Sequence, residues 1–456
     1  MGAGKTVLGR EAARRLGRPF VDLDEEVERS VGPISDFFER HGESRFRELE
    51  ATSLAPILES DRLSVVALGG GAVTSAEVRE ALRSHAFTIL VDVDLDDAWQ
   101  RVRDSGRPLA RDRASFGALF EQRAPLYREV ADDAARDADD VLLAAAGVQV
   151  QTGALDRLGE LVPDEGPVAL VADSHVAALH GTVAQLALGS RLQSTHELPR
   201  GEPAKALSSA EQLWNELELD RDGMLVALGG GCTTDAAGFV AATFLRGISW
   251  IPVPTTLVGQ VDAAIGGKTG LNLEHGKNLV GAFHWPARTI VDPALLATLP
   301  QEEVDAGMAE VVKTGLLAGD AFWELAQPEL VRRTAAFKAG ICLRDPYDRG
   351  PRTTLNLGHT FAHALEAASG FTLPHGRAVA LGLTAALRLS GLSIQPVMDV
   401  LRPEPVRLDR DRAWAALKRD KKGPGVFVLL EEAGRPVVTS LPDEDARRAL
   451  DELIAG

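Results

Sequence analysis

The sequence predicts an α/β fold with parallel sheets, closed by a mostly helical segment. Apolar runs of strand length end in carboxylates or glycine turns, as in FVDLD (20–24), VALVAD (168–173) and LVALGGG (225–231). Helical periodicity follows them, as in VLGREAARRLG (7–17) and CTTDAAGFVAATF (232–244). From Asp292-Pro293 onward strand signals thin, and EEVDAGMAEVVKTGLLA (302–318) and HTFAHALEAA (359–368) keep a helical period. Two shorter apolar runs, VLLAA (141–145) and GVFVLL (425–430), predict small strands.

Composition bounds the rest. At 456 residues and 45% hydrophobic content the chain can bury two or three cores. A net charge of −17 argues against a nucleic-acid or anionic-membrane partner, and small-molecule substrates are expected instead. No apolar run approaches the roughly 20 residues of a membrane helix. Cys232 and Cys342 cannot build a disulfide framework, which suits a cytoplasmic location. Composition seams predict domains at 1–150, 167–292 and 293–456, with a linker at 151–166. Only nine of the 49 basic residues are lysines, and most of them sit in Gly-, Asp- or Asn-rich stretches rather than on helix faces.

The first domain opens with Gly2-Ala3-Gly4-Lys5-Thr6, the back half of a P-loop. There Lys5 would reach the outer phosphates of a nucleotide and the Thr6 hydroxyl would hold Mg²⁺. The pattern's first glycine would lie before Met1 and its preceding strand is absent, so the parallel sheet is expected to lack its first strand. Asp22 and Asp24, at i and i+2 of the strand FVDLD, would share one face. GESRFRELE (42–50), the LGGG turn at 68–71, RPLA (107–110) and QRAPLYREVAD (122–132) follow. Taken together and in this order, these motifs resemble shikimate kinase over nearly all of residues 1–145. The resemblance implies a P-loop kinase fold in which Gly2, Gly4, Lys5, Thr6 and Arg107 bind ATP. It places Thr6 and Asp22 at Mg²⁺, and Asp24, Arg47, Gly70 and Arg123 on shikimate, with Asp24 catalytic. Two explanations of the missing front compete: Met1 is an internal methionine of a longer chain, or the kinase module is truncated and impaired; the intact remaining site residues favour the first.

The second half is denser in chemistry. Asp173 ends a strand, where a ribose partner sits in dinucleotide sites, and LPRGEPAK (198–205) places Glu202 and Lys205 in a loop. The GGG turn at 229–231 is not GxGxxG, so by itself it is a weak signal. IPVPTTL (251–257) and QVDAAIGGKTGLNLEHGKNLVGAFHWP (260–286) bring Thr255, Thr256, Asp262, Lys268, Lys277 and Asn278 into what read as successive Gly-rich turns. Such lysines suit an anionic, hydroxylated substrate. His359 and His363 in HTFAH fall at i and i+4, but Thr360 stands where a zincin has glutamate, which argues against a metalloprotease. His375 and the carboxylate Glu310 complete a two-His, one-carboxylate set suited to catalytic zinc.

The strings GE..K, GGG...D.AGF, PTTL, VDA.IGGKTG.N, GKN.VGAFH.P, AEV.K, R...LNLGHTF.HALE, HG..VA and DKK run in the order seen in 3-dehydroquinate synthase, over about 166–430. The resemblance implies a Rossmann-like NAD-binding α/β domain followed by a helical metal-binding domain. It implies NAD at Asp173, Glu202, Lys205, Gly230, Gly231, Asp235, Thr255, Thr256 and Thr298, with Lys277 on the nicotinamide side. Zn²⁺ or Co²⁺ would be bound by Glu310, His359 and His375. The heptulosonate phosphate would meet Asp262, Lys268, Lys313, Lys338, Arg352, Asn356 and His363, with Asn278 between substrate and cofactor. Lys421 and Lys422 would close the pocket, and Arg246 would reach the phosphate from the second subunit of a homodimer. Asp348 replaces the family's usual Glu, His175 replaces an Asn, and Arg377 is also unusual. The chemistry implied is transient oxidation by NAD⁺, loss of phosphate, return of hydride and aldol closure. Three alternatives stay open: another sugar-phosphate cyclase, a polyol dehydrogenase, or a first domain that serves as a non-catalytic module.

Overall fold

Each of the six positions of Val168–Asp173 is buried, as a strand covered on both faces requires. In this computed structural model, residues 2–103, 112–163, 166–274, 276–419 and 426–455 are described. They fall into two units, Met1–Ala146 and Gly147–Gly456.

The second unit is built on a four-stranded parallel sheet, in the order Leu192–Leu198, Val168–Asp173, Met224–Gly229, Ser249–Pro254. Strand alternation divides its side chains between two cores. Val168, Leu170, Ala172, Met224, Val226 and Leu228 enter one, and Ala169, Val171, Leu225 and Ala227 enter the other. The segment 151–166, expected as a linker, packs into the first of these cores through Leu155, Leu158 and Leu161. Val148–Val150 pairs in parallel with Thr289–Val291 in this unit, so residues 147–150 do not belong to the first domain as expected. Polar side chains bolt the segment down. The Asp292 carboxylate accepts from Gly153 N at 2.9 Å and Leu155 N at 3.0 Å, and Arg191 donates to the Val162 carbonyl at 3.1 Å. The polar flanks hid a three-residue leucine spacing that buries one side of the chain.

Residues expected in Gly-rich turns form instead an antiparallel hairpin, Lys268–Leu273 with Gly276–Phe283. Gly270 lies opposite Gly281, whose missing Cβ would overlap the Thr269 carbonyl. Glycine here permits close strand approach rather than a turn. The helical half then follows, with Gln301–Ala318, Gln327–Arg344, His359–Ala368 and His375–Leu389 as its main helices. The late apolar run is a strand, Val426–Glu432, paired with Arg435–Ser440.

In the first unit, Phe20–Asp22 pairs in parallel with Val65–Ala67, and Ile89–Val91 with Asp133–Ala135. Two expectations fail here. VLLAA lies in a helix, Ala138–Ala145, because the preceding Asp137 caps it, accepting from Asp140 N at 2.9 Å. FVDLD stops being a strand at Asp22, which caps helix Leu23–Val31 and accepts from Asp24 N at 3.1 Å. Asp22 and Asp24 are therefore linked through a helix cap, with the Asp24 backbone N–H on the Asp22 carboxylate, and not through strand alternation. Among the described residues, no helix is long and apolar enough to cross a membrane.

Candidate functional site

One helical turn separates Glu310 from Lys313 on helix Gln301–Ala318, and both are almost fully buried. His359 and His375 each begin a helix. Those two helices approach through glycines: a Cβ at Gly358, at φ 77°, would come 2.7 Å from Leu383 N, and one at Gly382 would overlap the Gly358 carbonyl. The approach converges three donors. Glu310 Oε1 lies 3.4 Å from His359 Nε2 and 3.2 Å from His375 Nε2, and one ligand atom from each residue falls within 4.8 Å of the others. Each ring is engaged on its far nitrogen: His359 Nδ1 faces the Leu357 carbonyl at 3.2 Å, and His375 Nδ1 faces Glu366 at 3.2 Å. Those acceptors favour a proton on each Nδ1, and both Nε2 atoms face the shared centre. A buried carboxylate with two such imidazoles fits Zn²⁺ or Co²⁺.

The charges around this centre are tightly balanced. Burial opposes ionisation of Glu310, but Lys313 and His359 hold it well below the usual carboxylate range. Burial would depress the His375 imidazole, yet hydrogen bonds to Glu310 and Glu366 raise it to about 10 in the metal-free protein. Burial likewise opposes the charge on Lys313, and the Glu310 and Asp262 carboxylates raise its pKa above the ordinary value. Asp262 is held low against its burial by Lys338 and Lys313, with Lys338 Nζ 2.8 Å from its Oδ1.

Other predicted substrate residues surround them. Lys268 pairs with Asp348 at 2.6 Å. Arg352 is buried and donates to the Gly266 carbonyl at 2.9 Å. Asn356 turns its amide onto the Thr353 carbonyl at 2.7 Å, and the His363 ring stands edge-on to His359 with centroids 5.6 Å apart. Asp345 escaped the sequence reading. Its carboxylate accepts from the backbone N–H groups of Arg349, Gly350 and Arg352 at 2.9, 2.7 and 3.1 Å, and so shapes the turn that carries Asp348 and Arg352. The Asp-Pro pair at 345–346 was the available signal. Glu366 escaped too, hidden in an apparently ordinary helix face.

The predicted cofactor residues gather where strand Met224–Gly229 enters helix Gly231–Thr243. At Gly230 a Cβ would press to 3.0 Å of the Thr256 side chain. Thr256 Oγ1 accepts from Gly259 N at 3.1 Å, and Thr255 is buried beside it. Asp173 caps the next helix, accepting from His175 N at 3.1 Å and Val176 N at 3.0 Å. Glu202 holds Lys277 at 2.5 Å, Lys205 holds Asp235 at 2.6 Å and also donates to Asn278, and Thr298 meets His180 at 2.9 Å. One continuous cleft of ≈ 1530 Å³ joins these residues, including Gly231, to Asp262, Lys268, Lys313, Lys338, Arg352, Asn356, His359, His363 and His375. That volume exceeds the usual small-ligand pocket and suits a dinucleotide beside a second molecule.

In the first unit, Gly2 and Gly4 adopt φ of 71° and 82°, and helix Lys5–Leu16 starts directly after them. Thr6 Oγ1 donates to Asp22 at 2.7 Å. Arg47 is ion-paired to Glu50, which is buried; burial raises its pKa despite that arginine. The glycine loop packs tightly on this group. A Cβ at Gly69 would come 2.7 Å from Asp24 Oδ1, and one at Gly71 would overlap the Arg47 guanidinium. Gly70 contributes its carbonyl, which accepts from Arg123 at 3.0 Å and from the Tyr127 hydroxyl at 2.6 Å. Arg107, Lys421 and Lys422 lie outside the described residues.

Residues 195–306 match the family model for the 3-dehydroquinate synthase N-terminal domain and 307–422 that for its C-terminal domain. The 3-dehydroquinate synthase of Symbiobacterium thermophilum is 40% identical over 366 residues, spanning 72% of this chain and 97% of the relative. The chain belongs to the 3-dehydroquinate synthase family. The synthase of Gloeobacter violaceus is 41% identical over 343 residues, 67% of this chain and 95% of that protein. Residues 1–147 match the family model for shikimate kinase, so the chain joins a kinase domain to the synthase. Among solved structures, 2-deoxy-scyllo-inosose synthase complexed with carbaglucose-6-phosphate, NAD⁺ and Co²⁺ aligns with a TM-score of 0.61 at 25% identity, over 67% of this chain and 96% of that one. The 2-epi-5-epi-valiolone synthase of Streptomyces hygroscopicus, with NAD⁺ and Zn²⁺ bound, aligns at 0.60 and 25% identity over the same shares.

Proposed function

We propose that the cleft residues divide among themselves the conversion of 3-deoxy-D-arabino-heptulosonate 7-phosphate to 3-dehydroquinate and phosphate. One observation carries the reading: a carboxylate–imidazole–imidazole centre shares its cleft with three charged side chains, Lys313, Lys338 and Asp262, and with a glycine turn at a helix start. Glu310, His359 and His375 would hold Zn²⁺ or Co²⁺, which when bound lowers the pKa of a coordinated hydroxyl. Asp173, Glu202, Lys205, Gly230, Gly231, Asp235, Thr255, Thr256, Lys277, Asn278 and Thr298 would hold NAD, which exchanges hydride with the substrate and is recovered each turnover. The neighbours solved with NAD⁺ and Co²⁺ or Zn²⁺ support both assignments.

The chain's own groups then bind and steer. Asp262, kept ionised between two ammoniums, accepts from substrate hydroxyls, while Lys313 and Lys338 donate to the substrate's anionic groups. Lys268 and Arg352 neutralise the phosphate and Asn356 and His363 hydrogen-bond to it, which lets it depart as a stabilised anion. Arg246, at φ 72° after Leu245 at φ 52°, would serve the phosphate of a second subunit in a homodimer. In the kinase domain, Gly2, Gly4, Lys5 and Thr6 would bind ATP and Mg²⁺ with Asp22 and Arg107, and Asp24, Arg47, Gly70 and Arg123 would hold shikimate. Two unpaired cysteines support a cytoplasmic location.

The test is phosphate release from the heptulosonate phosphate, with and without NAD and a chelator. The synthase reading expects release that needs both NAD and metal and leaves no net NADH. Steady NADH accumulation would instead favour a polyol dehydrogenase. Transfer of phosphate from ATP to shikimate tests the kinase domain separately.

A further inference from the structure

The three residues of the metal centre are held very unequally. The side chains of Glu310 and His359 are 1% and 12% exposed, whereas that of His375 is 40% exposed. Like His359, His375 is the first residue of its helix, so exposure and not helix position separates the two. His359 gains orientation from a rigid backbone carbonyl, that of Leu357. For His375 the corresponding partner is a side chain, Glu366, whose Oε1 lies 3.2 Å from Nδ1.

Glu366 is itself held by its main chain. It occupies the last turn of helix His359–Ala368 and is 7% exposed. Its carbonyl accepts from Phe371 N at 2.7 Å and from Ser369 Oγ at 2.7 Å. Ser369 Oγ in turn accepts from Leu373 N at 3.1 Å. These bonds fix the whole connection from the helix bearing His359 to the helix bearing His375.

We propose that Glu366 is the positioning residue for His375: it keeps the ring proton on Nδ1 and presents Nε2 to the metal. Carboxylates behind ligand imidazoles fix the tautomer and raise ligand basicity. The ring, half-buried at the wall of the cleft, would otherwise have to be ordered when the ion binds, at a cost in side-chain entropy. The inference rests on the metal reading of Glu310, His359 and His375, and its test separates the two.

The full chain, stripped of metal, is titrated with Zn²⁺ against a chromogenic chelator, as wild type, Glu366→Ala and Glu366→Gln. Glu366→Ala should bind Zn²⁺ about 10- to 100-fold more weakly. Glu366→Gln, whose amide oxygen can still accept from Nδ1, should recover part of that loss. The visible spectrum of the Co²⁺-loaded protein should change in Glu366→Ala, whereas NAD affinity of the metal-free protein should not. Wild-type Zn²⁺ affinity and an unchanged Co²⁺ spectrum in Glu366→Ala would overturn the proposal while leaving the metal site intact. Failure of wild-type protein to take up stoichiometric metal would overturn the site and the proposal together. Should Glu366→Ala lose its cooperative unfolding transition, Glu366→Asp decides. It keeps the charge but withdraws the oxygen by one methylene, and undiminished affinity in it would also overturn the proposal.

Discussion

Asp345 and Asp292 do comparable work with three backbone N–H bonds each, and neither was visible as a site residue in the sequence. Asp345 ties the turn 345–352 that delivers Arg352 to the cleft. Asn at 345 can offer only one acceptor oxygen, so Asp345→Asn should cost about 1–3 kcal/mol of stability, measured by chemical denaturation. Burial opposes the charge on Asp345, but the backbone bonds hold its pKa below the ordinary value. A lowered carboxylate stabilises the fold above its unfolded pKa of about 4. That contribution fades as pH falls through the folded pKa. Wild type should therefore lose stability relative to Asp345→Asn on acidification below about pH 4; a constant difference down to strongly acidic pH would refute this. At His359, replacement by Ala removes a ligand outright. Stoichiometric metal, read by elemental analysis, should be lost together with phosphate release.

Elements that carry ligands are held by missing side chains. Gly358 and Gly382 let the helices starting at His359 and His375 touch, and a Cβ at Gly382 has nowhere to go but into the Gly358 carbonyl. Gly382→Ala should cost about 1–3 kcal/mol through forced helix separation, and should weaken metal binding as well as lower the melting temperature. In the kinase domain the same logic applies to the loop at 69–71. Gly71→Ala would drive Arg47 from its place beside Glu50, so shikimate binding should weaken while nucleotide binding stays near wild type; equal loss of both would contradict it. Most element types were legible because their periods are strong, as in VALVAD and EEVDAGMAEVVKTGLLA. The mistaken ones share a cause. Asp137 and Asp22 are caps, and a cap acts on the residues that follow it, so VLLAA and the tail of FVDLD followed the cap rather than their own β propensity. In the hairpin 268–283 glycine signalled turns, but its actual service is strand proximity.

For the molecule as a whole, metal removal should separate the two chemistries. Protein stripped of its transition metal and returned to Mg²⁺ should lose phosphate release from the heptulosonate phosphate. Any shikimate phosphorylation should persist, since the kinase residues include no ligand of that centre.

The sequence by itself determined the two families and the α/β class, and it named the charged and glycine residues proposed for the synthase site, because long strings of glycine, lysine and histidine occur in a fixed order. Only the tertiary structure decided which atoms face one another. It showed that Glu310 sits between two imidazoles, that Glu366 stands behind one of them, that Asp173 caps a helix, and that residues 154–162 pack into a core rather than acting as a linker. The physical reason is that a hydrogen bond between residues 65 positions apart, such as Glu310 to His375, depends on helix packing and backbone approach. Neither local propensity nor residue spacing carries that information.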